Sequence, residues 1–563
     1  MKKISLMLIS LLLALSLLAG CAAPDFVTGF VVSHAQEDER GNFGSFDELE
    51  YIRPELAEIQ TTAEKLFDAL DSPFAFGRVN ALLDELYAQC SNFDTMYVLA
   101  YIHSCREMGD EYYAAEYNWL MSADAQLQHI VEQTYSACAN SIHILWLEPL
   151  KFWDGFREEY SGSVMDEAAY EQYAELAGRE AELLSRYRRE IAAPTVEIAG
   201  QEWPFEEYIL QLPPYAHAEA YEEFYKKYNS ILGEIYIELI SIHRDMAELL
   251  GYESYAAMEY ELGYGRDYSP AEAEIFMGYV KQHMAALGGR LNEQGNYYEN
   301  LDSQELIHWL EAAAEGFGGE IEEAFLFMRE HDLYDFSQTA GKQDISFQTY
   351  LVDYDAPYLF LSPYGDRWDV VTLFHEFGHY ADSYMRYNAY ESIDLSECFS
   401  QAMQFLALSQ LYDLPDEERE ELYQMTLLDI TGTMLEQSAL AEFELRAYEM
   451  EAPTLDKLNE LWLQLSKDYG IYDELSDYAY RYAWSDTPHL FEQPFYVISY
   501  PVSAAVALEL YELELERKGA GTEKFIEMSQ SCLAGLMETV DFAGLQYPLS
   551  RERVRDMAEL LGN

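Results

Sequence analysis

Two histidines and a glutamate stand together in "HEFGH", residues 375–379, inside the longer run "WDVVTLFHEFGHYADSYM". Residues four apart lie on one face of a helix, so His375 and His379 can turn both imidazoles toward a single tetrahedral zinc ion. Glu376, one position on, can reach a zinc-activated water without being a ligand, which is the place of a general base. A catalytic zinc takes three protein ligands and leaves a fourth position for water. Downstream, "YESIDLSECFSQAMQFLALSQ" offers Glu391, Asp394 and Glu397 as the third ligand, and spacing alone does not choose among them. Asp394 or Ser396 is placed to cap a helix there, with Glu397 facing inward from its first turn.

Such a site needs helices to hold it, and the chain is patterned for them. From Phe46 onward apolar residues recur every three or four positions, as in "RVNALLDELYAQC", "EAELLSRYRREIA" and "IYIELISIHRDMAELLGY". A proline-rich break near 191–215 marks a domain boundary, and its alternating "PTVEIAG" predicts a short strand. The stretch 343–366, "QDISFQTYLVDYDAPYLFLSPYGD", is aromatic, β-branched and broken by Pro357 and Pro363, so it predicts one or two strands just before the "HEFGH" helix.

The N-terminal run "MKKISLMLISLLLALSLLAGC" has two lysines, an apolar segment and small residues before Cys21, the pattern of a secretory signal. Its "LLAGC" ending resembles the bacterial lipobox, in which the cysteine is acylated and becomes the new N-terminus, so residues 1–20 are expected to be removed. Residues 21–45 lack periodicity and read as a flexible tether. No other stretch is long and apolar enough to span a bilayer.

At 563 residues, half of them hydrophobic, the chain can fill two or three cores. It carries 34 Lys and Arg against 102 Asp and Glu, a net charge of −68. A nucleic-acid partner would meet like charge almost everywhere, which excludes that class. Beyond Cys21 there are five cysteines without a CxxC spacing, which suggests buried small hydrophobes, not a disulfide framework or a cysteine zinc site.

Taken together, "LFHEFGHYAD" and, eighteen residues after the second histidine, the glutamate of "SECFSQAMQF" resemble the thimet oligopeptidase and oligoendopeptidase F family of zinc metallopeptidases. The resemblance extends to "IHRDMAELLGYESYAAMEYEL" at 242–262, "GRDYSPAEAEIF" at 265–276 and "TPHLFEQPFYVISYPVSAAVALEL" at 487–510. It implies Glu397 as the third ligand and one Zn2+ per chain. It implies that His489, with Tyr496, Tyr500 or both, donates hydrogen bonds to the substrate and to the oxyanion of the tetrahedral intermediate. In a chain with 47 tyrosines the exact register stays open. Tyr500 precedes Pro501, a residue suited to the first position of a helix. The chain departs from many members at Asp382, where a histidine is usual; a carboxylate there can orient a ligand imidazole from behind.

The resemblance further implies a mainly α fold, with two helical lobes enclosing a substrate channel and a small β element next to the HExxH helix. In zinc peptidases an edge strand beside that helix commonly holds the substrate backbone, and "YLFLS" at 358–362 is the candidate. The domain reading is a signal at 1–20, a tether at 21–45, an N-terminal helical region at 46–200 and a zinc-peptidase region at 201–563. The expected activity is hydrolysis of internal bonds in extracellular oligopeptides, by an enzyme lipid-anchored on the extracytoplasmic face of a bacterial membrane. Two alternatives are a peptide-capturing lipoprotein with an inactive peptidase fold, and an enzyme releasing C-terminal dipeptides.

Overall fold

The computed structural model describes residue 40 and residues 43–151, 156–160, 167–192, 194–198, 201–213, 216–292, 301–386, 391–411, 415–473 and 477–562. The signal segment and Cys21 lie outside the described residues. The elements used below are, in chain order, helices α1 (Leu56–Leu70), α2 (Phe76–Arg106) and α3 (Glu111–Asn140), strands β1 (Thr195–Ile198) and β2 (Gln201–Pro204), and helices α4 (His217–Leu250) and α5 (Pro270–Met284). Then come strands β3 (Tyr334–Asp335), β4 (Phe347–Leu351) and β5 (Ala356–Phe360), and helices α6 (Trp368–Arg386), α7 (Ile393–Gln410), α8 (Ser438–Glu449) and α9 (Ser499–Glu516).

The fold is mainly α, as the periodicity predicts. Among the described residues, those of Ala168–Tyr297 and Glu391–Asn563 form one compact unit, and those of Gly20–Glu167 and Tyr298–Tyr390 form another.

In the second unit, α1, α2 and α3 bury one face each around Leu66, Leu83, Phe93, Leu127 and Ile130. These residues recur at helical spacing, so a continuous apolar core forms when the three helices pack. Arg40, at the end of the stretch read as a tether, packs on this unit: its Nε donates to Asp355 Oδ2 at 3.0 Å and its Nη1 to the Tyr384 carbonyl at 2.8 Å. The same unit carries the small sheet, in the order β3-β5-β4, with β4 antiparallel and β3 parallel to β5. This corrects the edge-strand expectation. "YLFLS" begins within β5, the central strand, whose Leu359 and Phe360 are paired on both sides, so that strand offers no free edge there. Its fully buried side chains fit a central position.

In the first unit Thr195–Ile198 of the alternating stretch forms β1, which pairs antiparallel with β2. Helix α4 ends at Gly251 with φ 82°, a left-handed conformation that glycine adopts without penalty. Among the described residues Cys90, Cys105, Cys138 and Cys398 are buried and Cys532 is exposed. No helix among the described residues is long and apolar enough to cross a membrane.

Candidate active site

Helix α6 places the "HEFGH" motif. Its start is fixed by Asp369, whose carboxylate accepts from the backbone N–H groups of Tyr364 at 2.9 Å, Gly365 at 2.6 Å and Asp366 at 3.1 Å. These bonds satisfy donors that the approach to a helix otherwise leaves open. Leu373, Phe374, Phe377 and Ala381 are buried around the motif, so the helix is held on several sides. His375 and His379 lie one turn apart, both buried, with ring centroids 5.2 Å apart and planes at 80°. Burial, reinforced by the neighbouring His375, holds His379 well below the usual imidazole range. It is therefore neutral, the form that offers a lone pair to a metal. Glu376 is buried beside them.

Asp382, one turn beyond His379, is also buried and accepts from Arg386, Nε to Oδ2 at 3.1 Å and Nη2 to Oδ1 at 3.3 Å. A two-bond guanidinium–carboxylate pair fixes both side chains on the last turns of α6. Arg386 was not singled out by sequence reasoning, although its spacing of four from Asp382 was visible.

Helix α7 carries Glu397. The cap is Ser392, whose Oγ accepts from Leu395 N at 3.4 Å. Neither Asp394 nor Ser396 fills that place, and the earlier start puts Glu397 in the second turn, not the first. Asp394 is engaged elsewhere, its Oδ1 3.3 Å from Arg266 Nε, with both side chains fully buried. Glu391 is half-buried and lies ahead of the helix. Glu397 is fully buried; its Oε1 accepts from the Tyr496 hydroxyl at 2.8 Å and its Oε2 from Ser400 Oγ at 3.1 Å.

The segment 487–500 brings the remaining three candidates together. His489 stands on the short helix Pro488–Glu492. Its ring centroid lies 5.3 Å from that of Tyr496 and 6.1 Å from that of Tyr500, and the two phenols are 5.3 Å apart. Tyr500 Oη is 3.5 Å from His489 Nε2. Helix α9 begins at Ser499, so Pro501 is its third residue, not its first. The missing N–H still falls in the first turn, where no intrahelical bond is lost. The two tyrosines thus differ in partner: Tyr496 addresses the glutamate and Tyr500 the histidine.

The chemistry of the donors suits zinc. His375, His379 and Glu397 are all buried, and each offers one ligand atom. Two imidazoles and one carboxylate are donor types of a catalytic zinc site, which keeps a further position for water.

Models of the peptidase M3 N-terminal domain and of peptidase family M3 match residues 46–148 and 327–524, and together they cover just over half of the chain. The chain belongs to peptidase family M3. It is 24% identical over 295 residues to an oligoendopeptidase F homolog of Lactococcus lactis, covering 48% of each chain. It is 27% identical over 184 residues to the oligopeptidase PepF of Bacillus subtilis, covering 30% of this chain and 27% of the relative. It spans about half the length, or less, of the curated relatives it matches. The solved structure of PZ peptidase A with an inhibitor shares the fold, with a TM-score of 0.77 at 21% identity, covering 92% of this chain and 98% of that one.

Proposed function

We propose that this chain is a zinc-dependent oligopeptidase that hydrolyses internal bonds of oligopeptides, with His375, His379 and Glu397 as the metal ligands. The observation that carries the reading is the buried donor set: two imidazoles one turn apart on α6, and a carboxylate held by a tyrosine hydroxyl. When bound, zinc would supply Lewis acidity, lowering the pKa of water and polarising the scissile carbonyl.

Glu376 accepts the proton of the attacking water and later passes it to the leaving amine, so one carboxyl serves first as base and then as acid. Tyr500 and His489, adjacent in the structure, donate to the carbonyl oxygen as it gains charge. Tyr496 holds the Glu397 carboxylate by its hydroxyl and limits its rotation. The Asp382–Arg386 pair stiffens the end of the helix that carries both histidines. The lipid anchor at Cys21 and the extracytoplasmic location belong to the same proposal and rest on the sequence of residues 1–21.

The test is turnover of a quenched fluorogenic peptide together with metal content and mass analysis of the products from a defined peptide. One zinc per chain, steady turnover and internal cleavage are expected. Binding without turnover would indicate a capture protein, and exclusive loss of C-terminal dipeptides would indicate the dipeptide-releasing mode.

A further inference from the structure

The "GRDY" motif at 265–268 has no role in the chemistry above, yet its arginine is fully buried. The chain delivers it there by an unusual route. After α4, the short helix Tyr255–Met258 widens into a π turn over Glu259–Gly263, where Tyr264 N donates to Glu259 O at 2.9 Å. Gly265 then takes φ 57°, and Arg266 N returns to the Tyr260 carbonyl at 2.7 Å. The guanidinium carbon ends 4.4 Å from the ring centroid of Tyr260 and 4.5 Å from that of Tyr264. Single π turns recur at functional sites, and cation–π contact is strongest when desolvated.

What the head group touches is more specific. Nε faces Asp394 Oδ1 at 3.3 Å, three residues before Glu397 on α7. Nη2 donates to Ser499 Oγ at 2.7 Å and lies 3.4 Å from the carbonyl of Tyr496. The adjoining backbone is strained: Phe495 adopts φ 66°, a left-handed conformation that a residue with a Cβ disfavours. Two further bonds hold that conformation, Phe495 N to Glu444 Oε1 at 2.8 Å and the Tyr264 hydroxyl to the Pro494 carbonyl at 2.9 Å.

We infer that Arg266 is a positioning residue of the reaction: it locks helix α7, which carries Glu397, to the segment 494–500, and so sets where the hydroxyls of Tyr496 and Tyr500 stand. This rests on the roles given to those tyrosines above. A buried ion pair is seldom worth more than an apolar plug of the same volume, so its effect lies in the arrangement it enforces. Only a planar, multiply donating head can address a carboxylate, a hydroxyl and a carbonyl at once; an ammonium cannot reproduce that fork.

The experiment compares Arg266→Lys and Ser499→Ala with the parent by hydrogen–deuterium exchange and by steady-state kinetics on the fluorogenic peptide. In both variants the amides of 494–500 should exchange at least about tenfold faster while those of α1–α3 are unchanged. The kcat should fall about tenfold to hundredfold for Arg266→Lys, and about threefold to tenfold for Ser499→Ala, with KM within about threefold, since small misplacement of reacting groups acts on the transition state. If Arg266→Lys does not fold, Ser499→Ala, a minimal change, decides alone. Parental exchange at 494–500 would overturn the inference, as would faster exchange with parental kcat. The exchange readout does not depend on turnover, so a parent that fails to hydrolyse the peptide would sink the proposed function and leave the lock itself still measurable.

Discussion

Tyr496 and Tyr500 are four residues apart and of the same type, yet they face different side chains. Tyr500 stands beside His489 and Tyr496 is bonded to Glu397. Tyr500→Phe and His489→Ala should each lower kcat by about 10²–10³ with little change in KM, the range for losing one oxyanion donor. A phosphinic peptide, whose anionic oxygens mimic the tetrahedral intermediate, should lose affinity in step. Tyr496→Phe should instead weaken zinc retention against a competing chelator by about tenfold or more, as loss of a ligand's hydrogen-bond partner does. Chelator titration of Tyr496→Phe and Tyr500→Phe separates the roles; equal zinc affinity in both would erase the distinction. Sequence alone placed both tyrosines as candidates and could not order them, because their partners are 99 and 11 residues away in the chain.

At the scale of elements, much of the site was written in local pattern and its boundaries were not. The "HEFGH" spacing predicts a helix presenting both imidazoles on one face, and α6 does so because the motif's flanks are apolar at helical period. Helix α7 starts earlier than its pattern predicts because Ser392 caps it while Asp394 is drawn to Arg266, and α9 starts at Ser499 with no side-chain cap to mark it. The place of "YLFLS" at the centre of its sheet depends on β3, two residues long and without a periodic signal. Arg266 carries no local signal of its own in the sequence, since its polar partners are more than 120 residues away. One element is open to direct test. Asp369 satisfies three backbone donors at the start of α6, so Asp369→Ala should cost about 2 kcal/mol or more and lower the unfolding midpoint of the protein by several degrees. A midpoint within one degree or so of the parent would mean water replaces the carboxylate at no cost.

The whole molecule carries far more acid than base, with a net charge of −68, and it buries some of that acid. Burial pushes the Glu444 carboxyl up to about 8, against the N–H of Phe495 and the charge of Arg266, which pull it down. Its folded-state value therefore lies above the unfolded one, and folding takes up a proton between them. The stability this contributes is fully present below the unfolded value of 4.5 and is lost as pH rises toward 8. Unfolding midpoints should fall between pH 5 and pH 8, and Glu444→Gln, which is neutral throughout, should flatten the slope by up to about 1.4 kcal/mol per pH unit. An unchanged slope in that variant would assign the fall to other groups, such as the carboxyls of Glu259, Glu436 and Asp486, which burial also pushes up.

In the proposed reaction Glu376 takes the proton from water in a site held by His375, His379 and Glu397. Its most direct test is the turnover of Glu376→Gln carrying one equivalent of zinc, measured on the fluorogenic peptide beside the equally loaded parent. Glutamine keeps the shape and removes the proton acceptor, so hydrolysis should fall by about 10²–10⁴ with zinc still bound. A zinc-loaded variant that turns over at the parental rate would contradict the role of Glu376 as the base.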